Sequence, residues 1–128
     1  PAIELVCSRF DRNFEVDPAL LVADGALHAA LVLGPGTDPN KVENLSAHQL
    51  RTLVNNEEIA IGKGSEVLGD PYESLAWLCN HLNRRKLTLP AGSIVTTGAV
   101  TGLHPTNAGR LLTTHGGVLG SASLNLVG

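Results

Sequence analysis

The chain has 128 residues, 43% of them apolar and 16% charged, with a formal charge of −3. That length suits one domain with a core that needs no metal or disulfide to hold it. An acidic balance without a basic run argues against nucleic acid as a partner, and no apolar run approaches the ~18 residues of a membrane span.

The charged fraction lies below the ~25% usual for soluble domains. We therefore expect part of the surface to be covered, by another subunit or by another part of a longer protein. Nothing has the shape of a secretory leader. Cys7 and Cys79 show no framework spacing and read as reduced thiols of a cytoplasmic protein.

Pro1 to Val6 is strand-like from its first residue, so either an initiator Met is removed or the chain is a piece of something longer. Ile3–Val6 is the first expected strand, followed by an Asp11-Arg12-Asn13 turn. Asp17-Pro18 opens a helical turn through Leu21, and the apolar run Ala26–Leu33 has the length of a buried strand closed by Gly34-Pro35-Gly36. Residues 37–46 read as loop. Leu50, Thr52 and Val54 alternate with polar neighbours, Asn55-Asn56 supplies the turn, and Ile59 and Ile61 resume the alternation, which is a hairpin pattern.

After Gly62-Lys63-Gly64 comes a helix start: Asp70 as N-cap, Pro71 at the first helical position and Glu73 three residues after the cap. Tyr72, Leu75, Ala76, Cys79 and Leu82 would line one face, with the end near Arg85. Arg84-Arg85-Lys86 there complements the helix dipole. Pro90-Ala91-Gly92 turns into an expected strand Ile94–Thr97. Asn107-Ala108-Gly109 leads to Leu111–Thr114, and Gly116-Gly117 to a last strand over Val118–Val127. The fold class is α+β and β-rich: mixed, mostly antiparallel sheets in a sandwich or roll with one principal helix.

In this order the segments resemble the fumarylacetoacetate hydrolase superfamily, and within it the 2-hydroxypenta-2,4-dienoate (2-oxopent-4-enoate) hydratases and 4-oxalocrotonate decarboxylases. The resemblance rests on Pro1-Ala2-Ile3-Glu4-Leu5-Val6-Cys7-Ser8-Arg9, Val22-Ala23-Asp24-Gly25-Ala26 and Asn56-Glu57-Glu58. It continues through the glycine-rich block, Ala76-Trp77-Leu78, Ala91-Gly92-Ser93-Ile94-Val95-Thr96-Thr97-Gly98-Ala99 and Gly116-Gly117-Val118-Leu119-Gly120-Ser121-Ala122-Ser123. It makes residues 1–128 a single domain like the C-terminal half of such an enzyme. The family's upstream Glu-x-Glu pair and active-site lysine have no counterpart in this chain.

The resemblance implies a metal-dependent hydro-lyase of aromatic catabolism, homo-oligomeric, acting on a small 2-oxo or 2-hydroxydienoate acid. Mg²⁺ or Mn²⁺ would chelate the substrate carboxylate and 2-oxygen, and water would add at the distal alkene carbon. By the same resemblance Glu4 is a metal ligand, Asp24 a catalytic pocket residue, and Thr97 and Gly98 substrate-binding. From the residues alone Glu4 is an outward strand carboxylate, Asp24-Gly25 a turn pair, and Thr97-Gly98 a strand end that needs glycine.

The family's Asn is Gly25 here and a family serine is Leu27. The Gly109-Arg110 pair, where the family often has Gly-Asp, reads as a surface change. Lys63 is a solvated hairpin lysine, Trp77 and Tyr72 are core or interface anchors, and the five histidines show no ligand spacing.

Three further functions fit parts of the chain. A decarboxylase would use the same chelation to hold the enolate left by CO₂. A truncated, non-catalytic assembly subunit fits the missing carboxylates. A tautomerase with Pro1 as general base fits the length, although the long helix comes only after a hairpin.

Overall fold

The computed structural model describes residues 1–10 and 17–128; the turn expected at Asp11-Arg12-Asn13 lies outside them. Among the described residues six strands and two α-helices form in chain order: β1 (Ala2–Val6), α1 (Pro18–Ala23), β2 (His28–Leu33), β3 (Gln49–Val54), β4 (Glu57–Lys63), α2 (Pro71–Arg84), β5 (Leu111–His115) and β6 (Ser121–Asn125). Strands β1 and β2 make a two-stranded sheet, and a four-stranded sheet runs β4-β3-β5-β6. Each pairing is antiparallel, so the β-rich class with one principal helix is the one observed.

The β3–β4 hairpin turns on Asn55 and Asn56, at φ 50° and 68°. Two successive left-handed residues are what a two-residue turn of matching twist requires, and Asn tolerates them. Asn55 does a second job, since its Oδ1 accepts from the Leu111 N–H at 2.9 Å and so fixes where β5 begins.

In β5 the successive residues Leu112, Thr113 and Thr114 are all buried, so both faces of the sheet are covered there. Strands β1 and β2 lie against β5 and β6. The approach is close at Gly34, where a Cβ would stand 2.8 Å from the carbonyl oxygens of Pro1 and Ser121. On β3 and β4 the covering segment is residues 97–101: Thr52 Oγ1 and Thr101 Oγ1 are 2.7 Å apart. The Ser74 hydroxyl of α2 donates to the Thr97 carbonyl at 2.7 Å.

Three expectations are corrected. Residues 94–97 form no strand; they run as an extended strap whose Thr97 carbonyl is taken by α2 rather than by a neighbouring strand. The last strand is shorter than expected, because Gly117 and Gly120 at φ 55° and 80° make a 3₁₀ turn before Ser121. The covered face of α2 is Pro71, Ser74, Leu75, Leu78, His81 and Leu82, so Tyr72, Ala76 and Cys79 point outward. Start and end of α2 are as expected, with the Asp70 carboxylate accepting from the Tyr72 N–H at 2.8 Å.

The hydrophobic core is thin. Among the described residues Val67, Leu112 and Ala122 are its buried apolar side chains, while Tyr72, Trp77, Ile94 and Leu103 are more than half exposed. The chain exposes 8855 Å², against about 6,500 Å² for a compact monomer of its mass.

One glycine tests the strap. A Cβ at Gly62 would stand 1.9 Å from the Val100 carbonyl oxygen, with backbone on both sides of the clash. Gly62→Ala is expected to destabilise the fold by about 3 kcal/mol, at the upper end of overpacking costs. Gly36→Ala, which meets nothing, should leave urea unfolding nearly unchanged.

Candidate functional site

The site begins with a six-residue helix that could not persist alone. Asp17 caps α1 by accepting from the Ala19 and Leu20 N–H groups at 2.8 and 3.0 Å, with Pro18 at the first turn. The helix ends at Asp24, whose N–H donates to Leu20 O, and the Ala26 N–H closes the last turn on Leu21 O at 2.8 Å. Gly25, Ala26 and Leu27 then all take left-handed φ, at 66°, 57° and 65°. For Ala26 and Leu27 that conformation costs about 1–2 kcal/mol each. This turn replaces the first two residues of the expected Ala26–Leu33 strand.

What holds the turn is Asp24. Its side chain is 1% exposed, and a buried carboxylate needs several donors. Arg9 supplies them: its backbone N–H donates to both carboxylate oxygens at 3.3 Å and its Nη1 to Oδ1 at 3.2 Å. Nη1 also donates to the Asp24 carbonyl at 2.6 Å. The second arm of the guanidinium, Nη2, reaches the His28 carbonyl at 3.1 Å. One arginine thus ties the chain just after β1 to both ends of the left-handed turn.

His28 opens β2 at a bulge. The pairs run Glu4 with Leu31 and Leu5 with Ala30, then shift so that Val6 faces His28. Without the shift His28 would oppose Cys7 and lie on the other face from Glu4, because one residue of slip reverses the side chain. With it, His28 Nδ1 lies 2.9 Å from Glu4 Oε1, both side chains being half exposed. Glu4, His28, Arg9 and Asp24 are therefore one connected cluster.

Thr97 and Gly98 lie elsewhere. Thr97 lines an apolar cavity of about 260 Å³ with Leu45, Leu50, Leu75, Val100 and Leu119, where neither Glu4 nor Asp24 is found. Gly98 has φ 137°, and a Cβ there would stand 3.0 Å from Val67 Cγ1, so backbone and packing both require glycine. The structure brings Glu4 to Asp24 through two intermediaries and leaves Thr97-Gly98 separate. Among the described residues no group of three or more His, Cys, Asp and Glu side chains could hold a metal ion.

The two-sheet fold and the order of its residues place the molecule in a known class. The chain belongs to the fumarylacetoacetate hydrolase family: the model of that family's C-terminal domain matches residues 4–123. It is 34% identical to the 4-oxalocrotonate decarboxylase of Pseudomonas putida over 99% of this chain and 48% of that enzyme. Against the 2-keto-4-pentenoate hydratase of Paraburkholderia phymatum the identity is also 34%, over 94% of this chain and 45% of the relative. A solved 4-oxalocrotonate decarboxylase from Pseudomonas putida G7, complexed with magnesium and adipate, superimposes with a TM-score of 0.89 at 33% identity. That match covers 99% of this chain and 48% of the solved one, so the chain spans about half the length of these relatives.

Arg9 and His28 were missed as site residues. Arg9 lies in the Ser8-Arg9 pair that the resemblance rests on, but a guanidinium's partner fifteen positions away leaves no periodic mark. His28 reaches Glu4 only through the bulge, which nothing in local spacing announces.

Removing either end of the buried pair has unequal costs. Among the described residues, Arg9→Ala leaves the buried Asp24 carboxylate only the backbone N–H of residue 9, whereas Asp24→Ala removes the buried charge and leaves the exposed guanidinium on two backbone carbonyls. Both should destabilise by about 1–3 kcal/mol, Arg9→Ala the more. Equal or reversed losses in urea unfolding would contradict this account of the pair.

Proposed function

We propose that the chain is the C-terminal half of a hydratase-type lyase that adds water to a small 2-hydroxydienoate acid in aromatic catabolism. The observation that carries this is the placement of Glu4, the carboxylate that the resemblance marks as metal-binding, on an accessible strand face braced by Arg9 and Asp24. The solved relative's adipate, a small dicarboxylate, supports an acid of this class as substrate. The 34% identity to a hydratase extends over nearly the whole chain. Two exposed free thiols fit a cytoplasmic setting.

Asp24 serves here as a positioning residue. Its oxygens are spent on Arg9 and buried, so its part is to hold the guanidinium and, through it, the His28 carbonyl. Thr97 lines the apolar cavity, which suits the hydrocarbon end of a dienoate, and we assign Thr97 and the adjoining Gly98 to binding that end of the substrate.

The described residues do not by themselves fit Mg²⁺ or Mn²⁺. Such ions want about six oxygen ligands, and this chain brings Glu4, already hydrogen-bonded to His28. We therefore assign Glu4 as a contributed ligand and the remaining donors to sequence outside this chain. The surface in excess of a compact monomer, roughly 2,400 Å², is of the size an obligate interface buries. A missing N-terminal half or further subunits of an oligomer would cover it.

A decarboxylase is the second reading, favoured by the superposition on 4-oxalocrotonate decarboxylase. Product analysis separates them: CO₂ from 4-oxalocrotonate, or a 4-hydroxy-2-oxo acid from 2-hydroxypenta-2,4-dienoate.

The 128-residue chain alone, with MgCl₂ or MnCl₂, is expected to leave the absorbance of 2-hydroxypenta-2,4-dienoate unchanged. Joined to the N-terminal half of a hydratase relative it should turn the dienoate over, and Glu4→Gln should lower that rate by about 100-fold or more. Turnover by the isolated chain that survives Glu4→Gln would sink the proposal.

Assembly has its own optical signal. Trp77 is the chain's one tryptophan, 54% exposed and stacked on His81 with centroids 4.9 Å apart. Its emission should shift to the blue when the missing half covers α2; an unshifted spectrum in the active assembly would place the interface elsewhere.

A further inference from the structure

We propose that the apolar cavity between α2, β3 and the strap selects its occupant by excluding charge. It takes the neutral tail of a monocarboxylic acid, up to the bulk of a phenyl ring, and rejects a second carboxylate. This rests on the reading that the distal end of the substrate enters the cavity, and it adds the class of that end. 4-Oxalocrotonate is ionised at both ends, whereas a 2-hydroxydienoate with an alkyl or aryl tail is ionised at one. The cavity favours the second kind, and that separates this chain from a relative that holds adipate.

The wall is the first ground. Leu45, Leu50, Leu75, Val100 and Leu119 make most of it, and none of its ten residues is Lys, Arg, Asp or Glu. A carboxylate entering it would lose its water without gaining a cation, one of the costliest burials in a protein. The chain itself shows what such a group requires. Buried Asp24 is held by both the guanidinium and the backbone N–H of Arg9.

The polar groups of the wall do not replace that cation. His48 Nε2 lies 2.6 Å from the Gly116 carbonyl oxygen, which can only accept, so the Nε2 proton is directed there. A neutral ring then keeps a lone pair on Nδ1, which an anion cannot use. Thr97 and half-exposed Tyr72 add neutral hydroxyls only.

Size sets the other limit. The cavity holds about 260 Å³, and an apolar cavity of about 150 Å³ already takes benzene. A bare vinyl end would leave much of it empty and forgo the contacts that a phenyl or branched alkyl end makes. Nor has the wall slack to close around a smaller ligand at Gly64. A Cβ there would overlap the Leu45 carbonyl oxygen, so backbone already meets backbone.

The test titrates hexanoate, adipate and 5-phenylpentanoate into the 128-residue chain and follows its Leu and Val methyl signals by NMR. It is run at about pH 8, where free imidazole is neutral. Hexanoate and adipate have the same number of carbons and differ at one end. Hexanoate should move the Leu75, Val100 and Leu119 methyls at concentrations about tenfold or more below those adipate needs. For 5-phenylpentanoate they should be about tenfold lower again. Tyr72→Arg alters an exposed side chain and puts a cation at the rim; it should bring adipate level with hexanoate, with amide spectra verifying the fold. Equal or tighter binding of adipate by the unaltered chain overturns the exclusion of charge and leaves the cavity as the place of the distal end. Adipate unimproved by Tyr72→Arg overturns charge as the cause, and 5-phenylpentanoate no tighter than hexanoate overturns the size limit. Methyls unmoved by all three acids take the cavity off the substrate, and the reading beneath the proposal falls with it. The lyase assignment is decided separately, by turnover in Glu4→Gln.

Discussion

The Asp24 carboxylate is the constraint on which this half of the molecule depends. A carboxylate with a 1% exposed side chain is tolerated only if donors replace its water, and Arg9 provides both a backbone and a side-chain donor. The geometry runs outward from there. Because the guanidinium is a rigid fork, fixing Nη1 on Asp24 also fixes Nη2 on the His28 carbonyl. A single buried charge thereby sets the entrance to β2, whose first residue is His28.

That entrance is costly to build. Gly25 adopts the left-handed turn freely, but Ala26 and Leu27 do not, and α1 before them is too short to form independently. The cost is offset by hydrogen bonds that the turn makes possible, including Ala26 N–H to Leu21 O and Cys7 N–H to Leu27 O, each at 2.8 Å. The result is a bulged start to a short sheet with the imidazole beside Glu4. A regular strand from Ala26 would have avoided the strain and lost the pair.

Elements with a local cause were legible in the sequence. The Asn55-Asn56 hairpin and the Asp70-Pro71 helix start depend on residues within three or four positions of each other, and both stand where the pattern put them. The misread stretches depend on distant partners. Ile94–Thr97 has strand composition, but its Thr97 carbonyl goes to the Ser74 hydroxyl of α2. On α2, Tyr72, Ala76 and Cys79 have helical spacing, yet the covered face is the one whose Ser74 hydroxyl donates to the Thr97 carbonyl of the strap and whose Leu75 lines the cavity. The candidate site divides the same way. Glu4 and Asp24 came from motif order, while the Arg9 and His28 that connect them are tertiary contacts across fifteen and twenty-four residues.

The same thin packing explains why chemistry and cavity stand apart. Thr97 looks into an apolar cavity held by α2, β3 and the strap, whereas the Glu4 cluster belongs to the β1–β2 sheet that meets β5 and β6. The 2-oxo acid we propose as substrate is charged at one end and apolar at the other, so a site for it needs both environments within one substrate length. This chain supplies each environment with one wall missing: the carboxylate–imidazole pair is open to water, and Tyr72, at the cavity's rim, is 57% exposed. A covering segment that removed the excess surface would close both walls in one step, coupling the stability of the fold to completion of the site. The half-exposed donors and the thin core are then two aspects of one open surface.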